Sequence, residues 1–138
     1  MAFVRFELVD GLALVPVIVW GPRGDGRKFR FVLDTGTART MLSHDGAGWL
    51  GFSPEMATRK SRVTSVVGAE LGYLVRAPRV HALGWDRADF EIACHGFAPE
   101  ARIDGLLGAD FFAGLVLTVN YVAGTVDLAE PPPGPHGR

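Results

Sequence analysis

The chain has 138 residues, enough for one domain around a single hydrophobic core and too few for two. Hydrophobic residues make up 48% and charged residues 21%, as in a compact soluble domain, and the net charge is −1. This charge provides no positive field for a phosphate backbone, so no nucleic-acid partner is expected. The single cysteine, Cys94, excludes an internal disulfide. Because the histidines are scattered, no metal or other cofactor is predicted.

The first two predicted strands lie near the N-terminus. Val4, Phe6 and Leu8 alternate with polar residues and predict one half-buried strand. The apolar run from Leu14 to Trp20 predicts a second, more fully buried strand, which is far too short to cross a bilayer. No signal peptide is evident, because no basic region precedes an uninterrupted apolar stretch. We therefore expect no membrane association and a cytoplasmic location.

A carboxylate stands directly after the third predicted strand. The turn-forming residues 21–26 join this strand to the second one in a hairpin, and residues 29–33 alternate so that one face is apolar. Asp34 is thereby held at the strand's end, where Thr35 supplies a hydroxyl and Gly36 lets another backbone approach closely. The same residue types are common in ordinary turns, so the triplet alone leaves both a catalytic and a structural interpretation open.

The segment after this candidate acid is predicted to be short and irregular. Residues 40–43 predict a short strand. The glycine-rich residues 45–52 predict a structural loop in which Trp49 and Leu50 pack back onto the core.

A second hairpin is predicted in the middle of the chain. Residues 58–67 have β-branched character, residues 68–72 predict a turn, and residues 73–83 predict the returning strand. On this pattern alone, the turn is a simple solvent-exposed β-turn.

The last third of the domain predicts three more strands. After a turn at residues 84–86, four alternating residues predict the core face of a strand: Ala88, Phe90, Ile92 and Cys94. Residues 110–114 predict a single helical turn, and residues 115–121 and 125–128 predict a closing hairpin. This strand count fits a closed barrel.

The end of the chain has a different composition. Residues 130–138 are rich in proline and glycine and cannot donate a regular strand ladder, so they predict an extended, poorly ordered tail. The sequence thus predicts one domain over residues 1–129, followed by this tail.

Two motifs together resemble a known family. The Asp-Thr-Gly of residues 34–36 is followed, about seventy residues later, by Leu-Leu-Gly at residues 106–108 and Ala-Asp-Phe at residues 109–111. This combination resembles the retropepsin-like aspartic proteases, the single-domain relatives of retroviral protease and pepsin, and especially their bacterial members. The resemblance covers most of the chain, from Val15 to Leu128. It implies an all-β, closed acid-protease barrel with a flap hairpin and one short helix, active as a homodimer.

The activity that this resemblance implies is that of an aspartic endopeptidase. The chain holds one Asp-Thr-Gly and no internal repeat, so a second copy of the chain must supply the second acid. The implied catalytic residues are Asp34, Thr35 and Gly36. The two Asp34 carboxyls activate a water molecule, Thr35 bonds across the dimer, and Gly36 allows the close approach. The implied partners are a second protomer and a peptide or protein substrate, and the N-terminal strand and residues 126–128 are candidate interface strands.

The resemblance also implies substrate-binding residues in the acid loop and the flap. Thr37 and Arg39 belong to the acid loop, and Val67, Gly68 and Ala69 are candidates for the flap tip. Arg39 stands where retroviral proteases carry acids, so their peptide preferences do not transfer. The Thr37 hydroxyl, in place of the usual retroviral alanine, is a candidate donor to the catalytic carboxylate.

Four further residues are implied to support the acid loop: Leu106, Leu107, Gly108 and Asp110. The Leu-Leu-Gly segment is expected to pack behind the loop, and Asp110 to accept hydrogen bonds from hydroxyls such as that of Thr40. Asp104, which is also an acid near this motif, is interpreted as a turn residue.

Two other functions stay open. One is a non-catalytic peptide-binding or dimerisation module with the same fold, and the other is an unrelated small-molecule-binding β-barrel. The intact Asp-Thr-Gly favours the enzyme, because a binding module has no physical need for a carboxylate at that position.

Overall fold

A computed structural model describes residues 3–65, 68–97 and 102–134 of the chain. Within these residues the chain forms eleven strands, two short α-helices and one 3-10 turn. The strands are β1 (Phe3–Arg5), β2 (Glu7–Val9), β3 (Leu12–Trp20), β4 (Gly26–Leu33), β5 (Met41–Ser43), β6 (Arg59–Ser65), β7 (Gly68–Ala82), β8 (Trp85–His95), β9 (Gly105–Leu107), β10 (Val116–Asn120) and β11 (Thr125–Ala129). The helices are α1 (His44–Leu50) and α2 (Ala109–Phe112), and the 3-10 turn is Pro54–Met56.

Six strands form a closed barrel. They follow one another in the order β3, β4, β9, β5, β8 and β7, and β7 pairs back onto β3 from Val17–Ala82 to Trp20–Arg79. β2 extends the sheet beside β3, and β6 pairs with β7 in an antiparallel hairpin. β1, β11 and β10 form a separate antiparallel sheet. The predicted all-β closed barrel with a flap hairpin is confirmed.

The barrel has a packed interior because apolar residues alternate along its strands. Its fully buried side chains come from strands all around the barrel and include Val17, Phe31, Leu42, Ile92 and Leu107. This interior is the single hydrophobic core that the chain length predicts.

A second, smaller apolar cluster lies on the opposite face of the same strands. Met41, Leu74 and Ala93 are buried there, and Phe97 and Leu106 pack against them. Each strand residue of this group directly precedes or follows an interior residue in sequence, as the two-residue period of a strand requires. We call these five residues the outer cluster.

The N-terminal segment forms two strands, and the predicted single strand is wrong. β1 pairs with β11, whereas β2 pairs with β3 in the barrel sheet. The change of sheet occurs at Phe6, whose N–H donates to the Gly124 carbonyl at 3.0 Å and whose ring packs edge-on against Tyr121. Leu8, which was expected to be half-buried, is exposed. Alternation cannot reveal this transfer, because both strands have the same period.

Residues 44–50 form helix α1, so the predicted glycine-rich loop is wrong. The Ser43 hydroxyl caps the helix by accepting a hydrogen bond from the Gly46 N–H at 3.0 Å, and Gly51 ends it with a φ of 93°. These two caps outweigh the low helix propensity of the glycines between them.

The two apolar side chains of this segment behave differently. Leu50 is buried in the core, as predicted. Trp49 is 52% exposed and lies under the Arg27 guanidinium at 4.9 Å, so the expectation that it packs onto the core is wrong.

Strand β7 begins at Gly68, so the turn predicted over residues 68–72 is wrong. β6 and β7 are paired as far as Ser65 and Gly68. Gly72 lies within the strand, where a Cβ atom would overlap the Cys94 carbonyl oxygen. This glycine therefore permits a close approach of two backbones rather than a turn.

Along β8, the alternate residues that face the barrel interior change from one set to the other at Asp89. Asp89 has a φ of 47°, and on β7 the unpaired position at this point is Pro78, which has no N–H. Three residues of the predicted core face pack onto the interior, but Ala88 lies beyond the change and is exposed. The prediction for Ala88 is wrong for this reason.

The last elements agree with the sequence. The predicted helical turn corresponds to α2, and the predicted closing hairpin corresponds to β10 and β11. Residues 130–134 have no regular structure, and the remainder of the predicted tail lies outside the described residues. The division into a domain and a tail therefore stays a prediction.

The closure of the barrel requires a glycine at position 105 of β9. A Cβ atom there would overlap the Met41 carbonyl oxygen and the Phe31 ring. We expect Gly105→Ala to lower the free energy of unfolding by about 2 kcal/mol, measured by urea denaturation. The matched control is Gly48→Ala in α1, where the Cβ position is open. It should be neutral or raise the stability by about 0.5 kcal/mol, and equal losses in both variants would contradict this packing.

Candidate active site

Asp34 lies immediately after β4 and is fixed by three hydrogen bonds. Its N–H donates to the Leu107 carbonyl at 3.0 Å, and its own carbonyl accepts from the Thr37 N–H at 3.4 Å. Its carboxylate oxygen Oδ1 accepts from the Gly36 N–H at 3.0 Å. The side chain is only partly buried. The fold therefore presents a carboxylate of fixed position on one side of the barrel.

The parallel pairing of β9 with β4 brings the Leu-Leu-Gly segment beside this acid. Leu33 pairs with Leu107, so the residue that follows each strand lies at the same end of the sheet. Leu107 is fully buried in the interior, whereas Leu106 faces the outer cluster. Of the two leucines, Leu107 lies behind the acid loop, and Leu106 lies on the face that also carries Met41.

Gly108 and α2 hold the backbone of the acid loop. A Cβ atom on Gly108 would overlap the backbone of Arg39, so only glycine fits at this contact. The Ala109 N–H donates to the Thr37 carbonyl at 2.8 Å, and the Asp110 N–H donates to the Ala38 carbonyl at 3.2 Å. These bonds satisfy N–H groups at the start of α2 that the helix itself cannot satisfy.

Asp110 and Thr40 form the buried polar contact that supports the loop. The Thr40 hydroxyl donates to Asp110 Oδ1 at 2.7 Å, and the Thr40 N–H donates to the same oxygen at 2.9 Å. The Gly108 N–H in turn donates to the Thr40 hydroxyl oxygen at 3.1 Å. Thr40 is fully buried. Its hydroxyl thus acts as donor and acceptor at once, and Asp110 contacts the residue that the sequence indicated.

The two threonines of the loop have different surroundings. Thr35 is exposed to solvent in the single chain. The Thr37 hydroxyl donates to the Arg39 carbonyl at 3.4 Å. The carboxylate of Asp34 instead receives its hydrogen bond from the Gly36 backbone. The expected bond between Thr37 and the carboxylate is therefore replaced by a backbone donor.

Asp104 is used in a structural contact away from Asp34. Its carboxylate accepts a hydrogen bond from the Arg30 N–H at 2.8 Å, and its N–H donates to the Arg30 carbonyl at 3.1 Å. Its own carbonyl accepts from the Ser43 N–H at 2.8 Å. These bonds match its interpretation as a turn residue.

Arg39 is joined to the flap hairpin through Glu91 on β8. Glu91 Oε1 accepts hydrogen bonds from the Arg39 guanidinium at 2.8 Å and from the Arg59 guanidinium at 2.9 Å. Its other oxygen accepts from the Thr58 hydroxyl at 3.2 Å. We call Arg39, Glu91 and Arg59 the arginine–glutamate cluster. The sequence predicted a role for Arg39 alone, because its partners are distant along the chain.

The charge of Glu91 is stabilised by these neighbours. Partial burial opposes its ionisation, but the hydrogen bond and charge of Arg59, the Thr58 hydroxyl and the charge of Arg39 outweigh that cost and lower the pKa of Glu91. The cluster therefore contains an ionised carboxylate at neutral pH.

Two of the three candidate flap-tip residues, Gly68 and Ala69, lie at the far end of the β6–β7 hairpin. Gly68 is paired with Ser65, and Ala69 is paired with Thr64. Val67 lies outside the described residues. The assignment of these residues to the flap tip stays a prediction.

A cavity of about 700 Å³ lies between α1 and the base of the hairpin, rather than at Asp34. His44 and Tyr73 stack in its wall with ring centroids 5.8 Å apart, and Arg59 also lines it. Asp34 is not among the residues that line this cavity.

The described residues contain neither a metal-binding cluster nor a helix that could span a membrane. No group of three or more His, Cys, Asp or Glu side chains there is arranged to hold a metal ion. Within that same part of the chain, no helix is both long and apolar enough to span a membrane.

The chain is similar to known proteins in sequence and in fold. A family model described as aspartyl protease matches residues 15–111, which include the acid loop, the hairpin and Asp110. Among solved structures, the chain is similar to a retropepsin-like aspartic protease from Rickettsia conorii, with a TM-score of 0.69. That match has 16% sequence identity and covers 94% of this chain and 91% of the other. No curated protein sequence matches the chain.

The support of the acid loop by Thr40 can be tested through stability. Thr40→Val removes the hydroxyl at nearly constant volume, so the Gly108 N–H loses its acceptor and the Asp110 carboxylate keeps only the backbone N–H of position 40 as a donor. We expect a loss of about 2 kcal/mol in the free energy of unfolding, measured by urea denaturation. Thr118→Val, on an exposed face of β10, is the control and should change the stability by less than about 0.5 kcal/mol. A Thr40→Val variant as stable as this control would show that the contact does not support the loop.

Proposed function

The chain belongs to the aspartyl protease family, and we propose that it is an aspartic endopeptidase that hydrolyses peptide bonds as a homodimer. The observation that carries this proposal is the position of Asp34. Its backbone is held by Leu107 and its carboxylate by Gly36, while the side chain stays partly open to solvent. A carboxylate of fixed orientation that water can reach is suited to act as a general base.

The second acid of the pair is proposed to come from a second copy of the chain. Asp104 and Asp110 are the other acids near the motif, and both carboxylates are occupied by hydrogen bonds from backbone N–H groups. Neither is available to share a water molecule with Asp34. Two Asp34 side chains that face each other across a two-fold axis provide the pair that the chemistry needs.

The small sheet of β1, β11 and β10 is a candidate surface for this association. In the described part of the chain, β1 and β10 each pair with β11 alone, so both outer edges have unpaired backbone groups. Phe3 on β1 is 63% exposed, and Val116 on β10 is 44% exposed. Edge pairing between two copies would satisfy these backbone groups and cover the two apolar side chains.

In the proposed mechanism, the paired Asp34 carboxyls share one proton, because two like charges held close together are unfavourable. The ionised carboxyl accepts a proton from a water molecule held between them. The protonated carboxyl donates to the carbonyl oxygen of the scissile bond while that water attacks the carbonyl carbon. No covalent bond forms between enzyme and substrate. Gly36 donates to the carboxylate and thereby keeps it aligned for this step.

The substrate is proposed to bind in an extended conformation beneath the flap hairpin. The outer cluster includes Leu106. This residue directly precedes Leu107, whose carbonyl accepts a hydrogen bond from the Asp34 N–H. The partly exposed members of the outer cluster, Phe97 and Leu106, offer an apolar surface for a substrate side chain. The hairpin of β6 and β7 can add backbone hydrogen bonds by strand addition and exclude bulk water.

The direct test is cleavage of unfolded casein from about pH 3 to 7 by the wild type and by Asp34→Asn. Asn cannot accept the proton of the water, so we expect a loss of at least about 1,000-fold in kcat/KM for this variant. The control is Asp25→Asn in the turn before β4, which should retain full activity. Folding and assembly of each protein are checked by circular dichroism and by sedimentation. A folded, dimeric wild type that cleaves nothing would instead favour a peptide-binding module.

The use of two Asp34 residues is tested by mixing subunits. An equal mixture of wild type and Asp34→Asn, dissociated and reassociated, contains mixed dimers with a single Asp34. If both carboxyls are needed, the activity per wild-type subunit falls to about half, because about half of those subunits are in mixed dimers. An equal mixture of wild type with Asp25→Asn, whose subunits are active, should keep the full activity per total subunit. Unchanged activity with the Asp34→Asn subunits, despite proven exchange, would rule out the shared pair.

A further inference from the structure

The arginine–glutamate cluster has an excess of positive charge. Two guanidinium groups contact one carboxylate oxygen, so one positive charge is left without a carboxylate partner within the cluster. The other arginine ion pairs in the described residues differ in this respect. Arg30 pairs with Glu7 and Arg79 pairs with Asp86, and in both pairs the carboxylate contacts only one arginine. Each arginine of the cluster ties a different segment, the acid loop or the flap hairpin, to Glu91, and the three side chains together carry one more positive charge than the carboxylate neutralises.

The cluster borders the surface on which a substrate is proposed to lie. Glu91 and Ala93 share one face of β8, and Ala93 belongs to the outer cluster. Arg39 belongs to the acid loop, and Arg59 is the first residue of β6 in the flap hairpin. The excess charge is therefore placed between the acid loop, the apolar surface and the hairpin.

The two arginines are accessible, whereas the carboxylate that holds them is covered. The Arg39 side chain is 39% exposed and the Arg59 side chain 59% exposed, but Glu91 is only 20% exposed. An arginine has five N–H donors, and the contact with Glu91 uses few of them. The remaining donors belong to partly exposed guanidinium groups that Glu91 already holds, which reduces the entropy lost on binding an anion.

We propose that this cluster selects substrates with a glutamate or aspartate side chain at a subsite near the scissile bond. This inference rests on the proposed function and adds the class of peptide that the enzyme prefers. A carboxylate has the planar geometry that matches the donors of a guanidinium group. Its charge also complements the unpaired positive charge of the cluster.

The test uses a peptide from the casein digest that the wild type cleaves. Copies of this peptide carry Glu or Gln at one subsite at a time, and kcat/KM is measured for each pair at pH 6, where the side chain of Glu is ionised. We expect the Glu peptide to be favoured about tenfold at one subsite or at its symmetry-related subsite. In Arg39→Gln this ratio should fall to about one, because the remaining Arg59 and Glu91 form a neutral pair.

Two further variants separate recognition from a purely structural role. Glu91→Gln leaves two positive charges and should increase the Glu-to-Gln ratio. Arg79→Gln, which removes a guanidinium paired with Asp86 at the far end of the β7–β8 hairpin, should leave the ratio unchanged. If Arg39→Gln slows the Glu and Gln peptides equally, the cluster only positions the loop and the inference is wrong. The inference also fails if the wild type shows no preference at any subsite.

Binding measurements keep this test independent of turnover. The same peptide pairs are titrated against the Asp34→Asn protein, and we expect the Glu peptide to bind more tightly by a similar factor. If the wild type cleaves no casein, Glu and Gln copies of an extended casein peptide are titrated against it instead, and a preference for Glu in this binding would refute the protease and retain the acidic specificity. Cleavage of casein without any preference in binding or turnover would support the protease and refute the acidic specificity.

Discussion

The hydrogen bond from the Asp34 N–H to the Leu107 carbonyl fixes the acid, because it ties the end of β4 to the end of β9. β9 has only three residues, and it lies between β4 and β5 and pairs with both strands. The same short strand therefore closes the barrel and positions the carboxylate. Gly105 allows this insertion, since any side chain there would overlap the neighbouring strands. Stability and the geometry of the site thus depend on one region of close packing.

The acid loop is held from behind by groups that would otherwise lack partners. The first N–H groups of α2 donate to loop carbonyls, and the Asp110 carboxylate accepts from Thr40. This arrangement orders the loop before any substrate binds, so little reorganisation is needed during the reaction. The surface of the loop that carries Asp34 and Thr35 stays open. If the second acid comes from another chain, the loop must be held rigidly on its barrel-facing side and stay accessible on the side that carries Asp34.

The sequence predicts what depends on neighbouring residues and misses what depends on long-range contacts. An apolar run located β3, and alternation located β4 and the acid between strand and loop, because these signals lie within a few residues. The sequence did not predict α1, because glycines follow its cap at Ser43, and it wrongly predicted that Gly72 belongs to a turn. The contact between Thr40 and Asp110 spans 70 residues, and the family resemblance supplied the expectation of it. Glu91 lies 52 residues from Arg39, and no pattern along the chain connects them.

A homodimer would give the acidic preference a symmetry that a single-chain protease lacks. Each protomer contributes one Asp34 and one arginine–glutamate cluster, so the two-fold axis through the acid pair places a cluster on either side of the scissile bond. A peptide has a direction, but the dimer does not, so the peptide can bind in either of two equivalent ways. An acidic residue at a given distance before the scissile bond then meets one cluster, and an acidic residue at the corresponding distance after it meets the other. The symmetry of cleavage preferences would therefore report the symmetry of the active enzyme.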